Sequence, residues 1–114
     1  MRKLALFTLG VVGGAGALLA MQQQYPNATA EVVFENDQVV VQRVVQEADQ
    51  WSGEHSHAGN QIAVVLKGAT LTYKQGGEES TRTFEAGEVF WVDAVEAHDH
   101  KSNTTVESLL ITIK

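Results

Sequence analysis

Cysteine is missing from the 114-residue sequence. Its absence excludes disulfides, thiolate nucleophiles and Cys-ligated zinc or iron–sulfur centres, and leaves histidine, carboxylate and amide groups to hold any metal. Positive charge is scarce too: 8 Lys and Arg stand against 14 Asp and Glu, a formal net charge of −6. Arg2 and Lys3 are the only charged residues before Glu31, so the chain from Glu31 onward has 6 basic and 14 acidic side chains, or −8. A surface of that sign repels phosphate backbones. With no basic run and no basic stripe with interleaved aromatics, no nucleic-acid partner is expected. Serine-nucleophile, phosphate-loop and dinucleotide-fold patterns are also lacking. The glycine-rich GVVGGAG of residues 10–16 lies in the opening apolar segment, not between a strand and a helix.

That opening segment has two cations, Arg2 and Lys3, followed by 18 uncharged, mostly small or apolar residues and then the polar QQQYPNATA. The layout is that of a signal peptide. Small-x-small cleavage candidates are Ala15-Gly16-Ala17 and Ala28-Thr29-Ala30. Two other readings stay open: an uncleaved anchor, since 18 apolar residues just span a bilayer, or a helix of the domain, which its four glycines disfavour. In either of the first two cases the N-terminal charges face the cytoplasm and the rest of the chain faces outside, as an exported or membrane-anchored protein. Any membrane contact is confined to this segment, and residues 1–30 are set apart from a domain over 31–114.

From Glu31 the sequence becomes a string of short apolar runs rich in Val, Ile, Thr and Phe: EVVF, QVVVQRVV, QIAVVL, ATLTYK, TRTF, EVFWV and ESLLITI. Such runs, separated by Gly, Asn and Asp, read as strands. Hairpin turns are expected at Glu35-Asn36-Asp37, Lys67-Gly68, Gln75-Gly76-Gly77 and Ala86-Gly87. No stretch keeps a helical period long enough to compete. Seven or eight short antiparallel strands in so small a domain bury their faces by closing into a jelly-roll-like β-barrel. About 84 residues make a modest core, near the size where stability is marginal, and dimerisation is expected to support it.

All four histidines occur in two HxH pairs, His55 with His57 and His98 with His100. Along a strand, residues i and i+2 share a face, so each pair can point both imidazoles into one cavity while Ser56 and Asp99 point out. Two such pairs, from strands on opposite sides of a barrel, can converge on a divalent metal in a chain that has no thiol. By the same alternation Glu54 and Asp99 are solvated charges, and Ala63 and Val65, after Gln61, form a small apolar cavity wall. Tyr73, and either Phe90 or Trp91, could line the same pocket, although aromatics in a strand are more often core.

These residues resemble the cupin family. Its first motif runs HxH, three or four residues, Glu, six residues, Gly, and here His55-Ser56-His57 is followed by three residues, Gln61, six residues and Gly68. Its second motif begins with Gly and places a histidine eleven positions later, as Gly87 and His98 do. The departures are Gln61 in place of Glu, Asp49 at the position of an early glycine, Asp93 and Val95 where the family has Pro and Gly, and Ser102 where it has Asn, with Asn103 one further on.

The resemblance implies one divalent ion, whether Fe, Mn, Ni, Zn or Cu, held by His55, His57, Gln61 and His98. His100 would be a further ligand, a group behind the ligands, or an exposed residue. An amide in place of the carboxylate leaves the ion its full charge and favours an anionic small-molecule ligand, unless Gln61 merely caps a strand start. The implied activities are dioxygenase-type oxidation of a small anionic molecule, isomerase or lyase chemistry on sugar acids, or metal and ligand binding without catalysis.

Overall fold

The computed structural model describes residues 25–114, and the apolar run with its two cations, read above as a signal or anchor, lies outside the described residues. Nine strands follow in order: β1 (Thr29–Glu35), β2 (Val39–Gln46), β3 (His55–His57), β4 (Gln61–Lys67), β5 (Ala69–Gln75), β6 (Glu78–Phe84), β7 (Val89–Val92), β8 (Val95–Ser102) and β9 (Val106–Ile113). No helix occurs among the described residues. All strand pairings are antiparallel, in a five-stranded sheet ordered β1-β2-β9-β4-β7 and a four-stranded sheet ordered β3-β8-β5-β6. Val65, Leu71 and Phe84 pack together from the two sheets, with Phe90 against them. Val44, Ala63 and Leu110 form a second cluster on the inner face of the larger sheet.

The strands follow from alternation. In β4 the residues Gln61, Ala63 and Val65 are buried while Ile62 and Val64 are half-buried on the other face. In β2 the same rhythm puts Val40, Gln42, Val44 and Gln46 inside. The expected β1–β2 hairpin forms at Asn36, whose Oδ1 accepts from the backbone N–H of Gln38 and Val39 at 2.8 and 2.9 Å. The β5–β6 hairpin forms at Gly76 and Gly77, both at positive φ.

The other two expected hairpins are corners where the chain changes sheet. Lys67-Gly68 carries β4 of the larger sheet into β5 of the smaller one, and Ala86-Gly87 brings β6 back to β7. Turn residues mark a chain reversal without deciding which strand pairs next, and the two neighbours of β4 are β7 and β9. The strands beyond the seven apolar runs are β3 and β8, which hold the histidine pairs and have too few apolar residues to show as strand runs. β1 begins at Thr29, so the folded domain reaches back into the segment set apart from it by sequence.

Gly68 is confined by backbone. A Cβ there would lie 2.2 Å from the Phe84 carbonyl oxygen and 3.1 Å from Glu85 Cα, in the corner where the sheets meet. At Gly76 a Cβ would meet nothing within 4 Å. We expect Gly68→Ala to cost about 1–3 kcal/mol through overpacking, and Gly76→Ala to cost only the roughly 1–2 kcal/mol of placing a side chain at positive φ. Thermal unfolding of the two variants should rank Gly68→Ala lower in Tm.

Candidate metal centre

The interior is as polar as it is apolar. Among the described residues, Val40, Val44, Ala63, Val65, Leu71, Phe84 and Leu110 are buried, and so are Gln42, Gln46, Ser52, His55, His57, Gln61, Ser102 and Thr112. Burying that many polar groups is costly unless each is bonded, so their bonding partners define the site.

β3 and β8 bring the histidine pairs together. His55 lies directly across from His98 in an antiparallel register that a bulge then shifts, so that His57 faces Val95. Ser56 is exposed between two buried histidines, as alternation requires. His55 Nδ1 lies 2.7 Å from the Gly53 carbonyl oxygen, to which it donates its proton. That leaves Nε2 of the neutral ring with a lone pair, 3.1 Å from His98 Nε2. Two nitrogens each about 2.1 Å from a single ion lie roughly 3.0–3.4 Å apart, so the spacing suits two ligands of one metal. His55, His57 and His98 each offer a nitrogen, all within 4.8 Å of one another.

Gln61 is placed behind His57. Its Nε2 donates to Thr112 Oγ1 at 3.1 Å, and its Oε1 lies 3.2 Å from His57 Nδ1, placed to accept that proton and fix the ring's tautomer. Buried at 4% exposure, the amide holds a ring from the side away from its free nitrogen, as partners behind metal ligands do. His100 projects into the same space, its ring 5.1 Å from that of His55 and 5.4 Å from that of Tyr73. Its Nδ1 is buried without a hydrogen-bond partner. An orphaned buried nitrogen beside three converging ones suits a site that holds a metal and a second ligand.

Asp99 differs from the sequence reading. It is half-buried, not a solvated charge, and its Oδ1 accepts from Ser52 Oγ at 3.0 Å, from the Gly53 N–H at 3.0 Å and from the His100 N–H at 2.9 Å. The loop before β3 folds onto β8 and surrounds the side chain with donors, which overrides simple alternation. Ser52 N–H also donates to the His100 carbonyl at 2.9 Å, and Gln46 Nε2 donates to the Gln50 and His100 carbonyls at 2.9 Å each. Through Gly53, whose carbonyl holds His55, this network aims the first ligand. Glu54 is exposed as expected.

Tyr25 is a site residue that the sequence reading missed. Its ring meets His55 edge-on at 4.6 Å and lies 6.2 Å from His57 and 6.3 Å from His100. The segment is strapped down by Asn27, whose N–H donates to the Ser52 carbonyl at 2.8 Å and whose Nδ2 donates to the Trp51 carbonyl at 3.2 Å. Pro26 packs on Gly53, where a Cβ would come within 2.6 Å of the proline ring. The contact that places Tyr25 in the site is tertiary, and no local pattern in the sequence marks it.

A cavity of about 400 Å³ opens beside the histidines, lined by His57, His98 and His100 together with Ala63, Val65 and Tyr73, the three residues expected on its wall. Phe90 is inward, stacked on Phe84 at 5.2 Å. Trp91 is outward and 50% exposed. Burial depresses every histidine. His98 is held down to about 4 by burial and then by the neighbouring His55 and His57, and His100 to about 3 by burial and then by His55 and His98. His55 and His57 are lowered by burial as well. The rings are therefore neutral at physiological pH, the state in which imidazole binds metal. Burial pushes the Tyr73 hydroxyl up to about 12 and holds the Tyr25 hydroxyl higher still, so both phenols keep their protons.

The family model described as Cupin domain matches residues 42–114. The chain belongs to the cupin family. Solved structures resemble it over most of its length. A cupin domain from Bordetella pertussis has a TM-score of 0.68 at 20% identity, covering 82% of this chain and 99% of that one. A cupin-2 domain protein from Shewanella frigidimarina has a TM-score of 0.55 at 17% identity, covering 88% and 92%. A polyketide cyclase from Streptomyces resistomycificus has a TM-score of 0.60 at 15% identity, covering 81% and 68%. At these identities the likeness is one of fold. No curated protein sequence matches the chain.

The cupin departures have local accounts. Asp49, at the early glycine's position, adopts φ 61°, the backbone region that glycine favours. Asn103, one residue past the family's position, accepts from the Thr70 N–H at 2.9 Å through Oδ1, while its own N–H donates to the Thr70 carbonyl at 3.1 Å.

Two outcomes are expected. His57→Ala should abolish metal binding, and Asp99→Ala should weaken it about 10–100-fold by releasing the loop that aims His55, both read by competition with a chromophoric chelator. In the metal-free protein, histidine pKa values below the unfolded value of about 6.5 mean that the unfolded chain takes up protons first. Stability is then full above pH 6.5 and falls as pH drops toward 4, and the urea midpoint should be lower at pH 5 than at pH 7.

Proposed function

We propose that the protein is a metal-dependent cupin that binds one divalent ion through His55, His57 and His98 and acts on a small anionic molecule in the adjoining cavity, with dioxygenase-type oxidation as its reaction. The observation that carries this reading is the convergence of three imidazole nitrogens within 4.8 Å, from two buried histidines and one half-buried one, beside a cavity of about 400 Å³. A divalent ion held there supplies a Lewis acid and, when it is iron, a centre for dioxygen chemistry.

The chain's own groups define what else the site does. Gly53 and Gln61 hold His55 and His57 from behind. Ala63, Val65 and Leu71 give the cavity an apolar wall that excludes water from part of it. Tyr25 and Tyr73, both protonated, can donate hydrogen bonds to an anionic ligand. Arg82, the one Lys or Arg among the lining residues, stacks on Phe84 at 4.4 Å and Phe90 at 5.0 Å and pairs with Glu88 at 3.2 Å. Neutral ligands leave the ion's charge uncompensated, which favours a carboxylate or enolate. The signal-like N-terminus supports action outside the cytoplasm.

Oxygen uptake by iron-loaded protein against a panel of small acids, thiols and diketones tests the reaction. Uptake that needs both iron and an anionic member of the panel, and that His98→Ala abolishes, is expected. Binding of a panel member without uptake would make the chain a ligand-binding cupin instead. Gln61→Glu, which adds a negative charge beside the ion, should tighten metal binding and weaken binding of azide, used as an anion probe.

A further inference from the structure

The cavity beside the histidines has one basic and one acidic side chain in its lining, Arg82 and Asp93. They belong to different ends of it. Asp93 follows Val92, which pairs with Gln61, the residue behind His57. Arg82 lies on β6, the edge strand of the smaller sheet, with β5 between it and β8. Tyr73 pairs with both His100 and Ser80, and Leu71 with both Ser102 and Arg82. His100 and Arg82 are therefore two strands and one same-face step apart, roughly 12 Å between Cα atoms.

Arg82 is oriented, and most of its donors are left free. Its guanidinium lies over the Phe84 and Phe90 rings, and its Nη2 donates to Glu88 Oε2 at 3.2 Å. Glu88 is itself fixed by the corner between β6 and β7: its Oε1 accepts from the Glu85 N–H at 3.1 Å, and its own N–H donates to the Glu85 carbonyl at 3.1 Å. Arginine carries a planar fork of five N–H donors, and Glu88 is its one hydrogen-bond partner among the described residues. A surface ion pair would not require the inner face of the strand. On β6 the outer face is taken by Glu79, Thr81 and Thr83, while Ser80, Arg82 and Phe84 line the cavity.

We infer that Arg82 is a specificity-determining residue that receives a second acidic group of the ligand, at the end away from the histidines, resting on the metal centre proposed above for the first group. The substrate class is then a small molecule with an acidic group at each end and an apolar body between them. Each part has a counterpart in the lining. Val65, Leu71 and Phe84 form an apolar wall between the histidines and Arg82. Tyr73 stands between the two ends: its ring is 5.9 Å from that of His98 and 5.4 Å from that of His100, and the Arg82 charge acts on its hydroxyl, against the upward push of burial. The Arg82 side chain is 51% exposed, which sets it where the cavity opens to solvent. A guanidinium matches a carboxylate with two parallel bonds. A ligand with an apolar far end would leave that fork facing a hydrocarbon tail, and a site built to bond a polar group discriminates against the analogue that lacks it.

Isothermal titration calorimetry of the full chain loaded with Zn²⁺, a redox-silent ion, tests this. The probes are pairs of equal chain length, from glutarate with pentanoate to sebacate with decanoate, which differ in the second carboxylate. Metal uptake is read separately by competition with a chromophoric chelator. In at least one pair the wild type should bind the diacid about tenfold or more tighter than the monoacid, the worth of a charged hydrogen-bonded pair at a half-exposed site. Arg82→Gln should bring that ratio near one, and Arg82→Lys, which keeps the charge without the fork, should recover part of it. Zinc affinity and far-UV circular dichroism should be the same in all three proteins. Equal affinities within every pair in zinc-loaded wild type, or a diacid preference that survives in Arg82→Gln, overturns the role of Arg82 and leaves the metal centre standing. Protein that takes up no zinc overturns both.

Discussion

One carboxylate oxygen organises the centre of this protein. Asp99 Oδ1 gathers a hydroxyl from Ser52 and two backbone N–H groups, from Gly53 and His100, and so ties a short loop to the strand opposite. β3 has three residues and, among the described residues, pairs with β8 alone. A strand that short has little stability of its own. Bonds to charged groups are worth roughly 1.5–3 kcal/mol each where neutral ones give about 1, which makes this oxygen the natural fastening of the pair. His55 then takes its direction from Gly53, and the other rings from the strand faces around it.

The polar interior follows from the same arrangement. A barrel of this size filled with Val, Leu and Ile would be more stable and would have no room for a ligand. Here the space on one side is given to imidazoles, amides and hydroxyls, most of them bonded to a neighbour while His100 Nδ1 is left without one, and the apolar packing is concentrated in two small clusters. Gln61 illustrates the exchange: its amide is buried at the cost of desolvation, offset by bonds to Thr112 and His57 that also fix a ring.

How much of this could be read in the chain depends on the range of the interaction. Period-two alternation predicted which members of β4 are buried, and it put both histidine pairs on one interior because strand faces are a local property. Gly68 and Gly87 were legible as turns, but not as sheet changes, because which strand pairs next depends on residues far away. Asp99 was misjudged for a related reason: the donors that draw it in come from Ser52 and Gly53, more than forty positions earlier. Phe90 and Trp91 could not be ranked from sequence, since either could have faced inward. Tyr25 escaped because its contact with His55 is tertiary and nothing in its own neighbourhood announces it.

The strap that holds Tyr25 bears on how the chain can be matured. Of the two small-residue junctions in the N-terminal region, one after Ala17 leaves Tyr25, Pro26 and Asn27 on the folded side. A cut after Ala30 would strip away the tyrosine against His55, the asparagine that bonds the Trp51 and Ser52 carbonyls, and the first two residues of β1. A processing enzyme that acted there would therefore deliver a protein whose imidazoles had lost one of their walls.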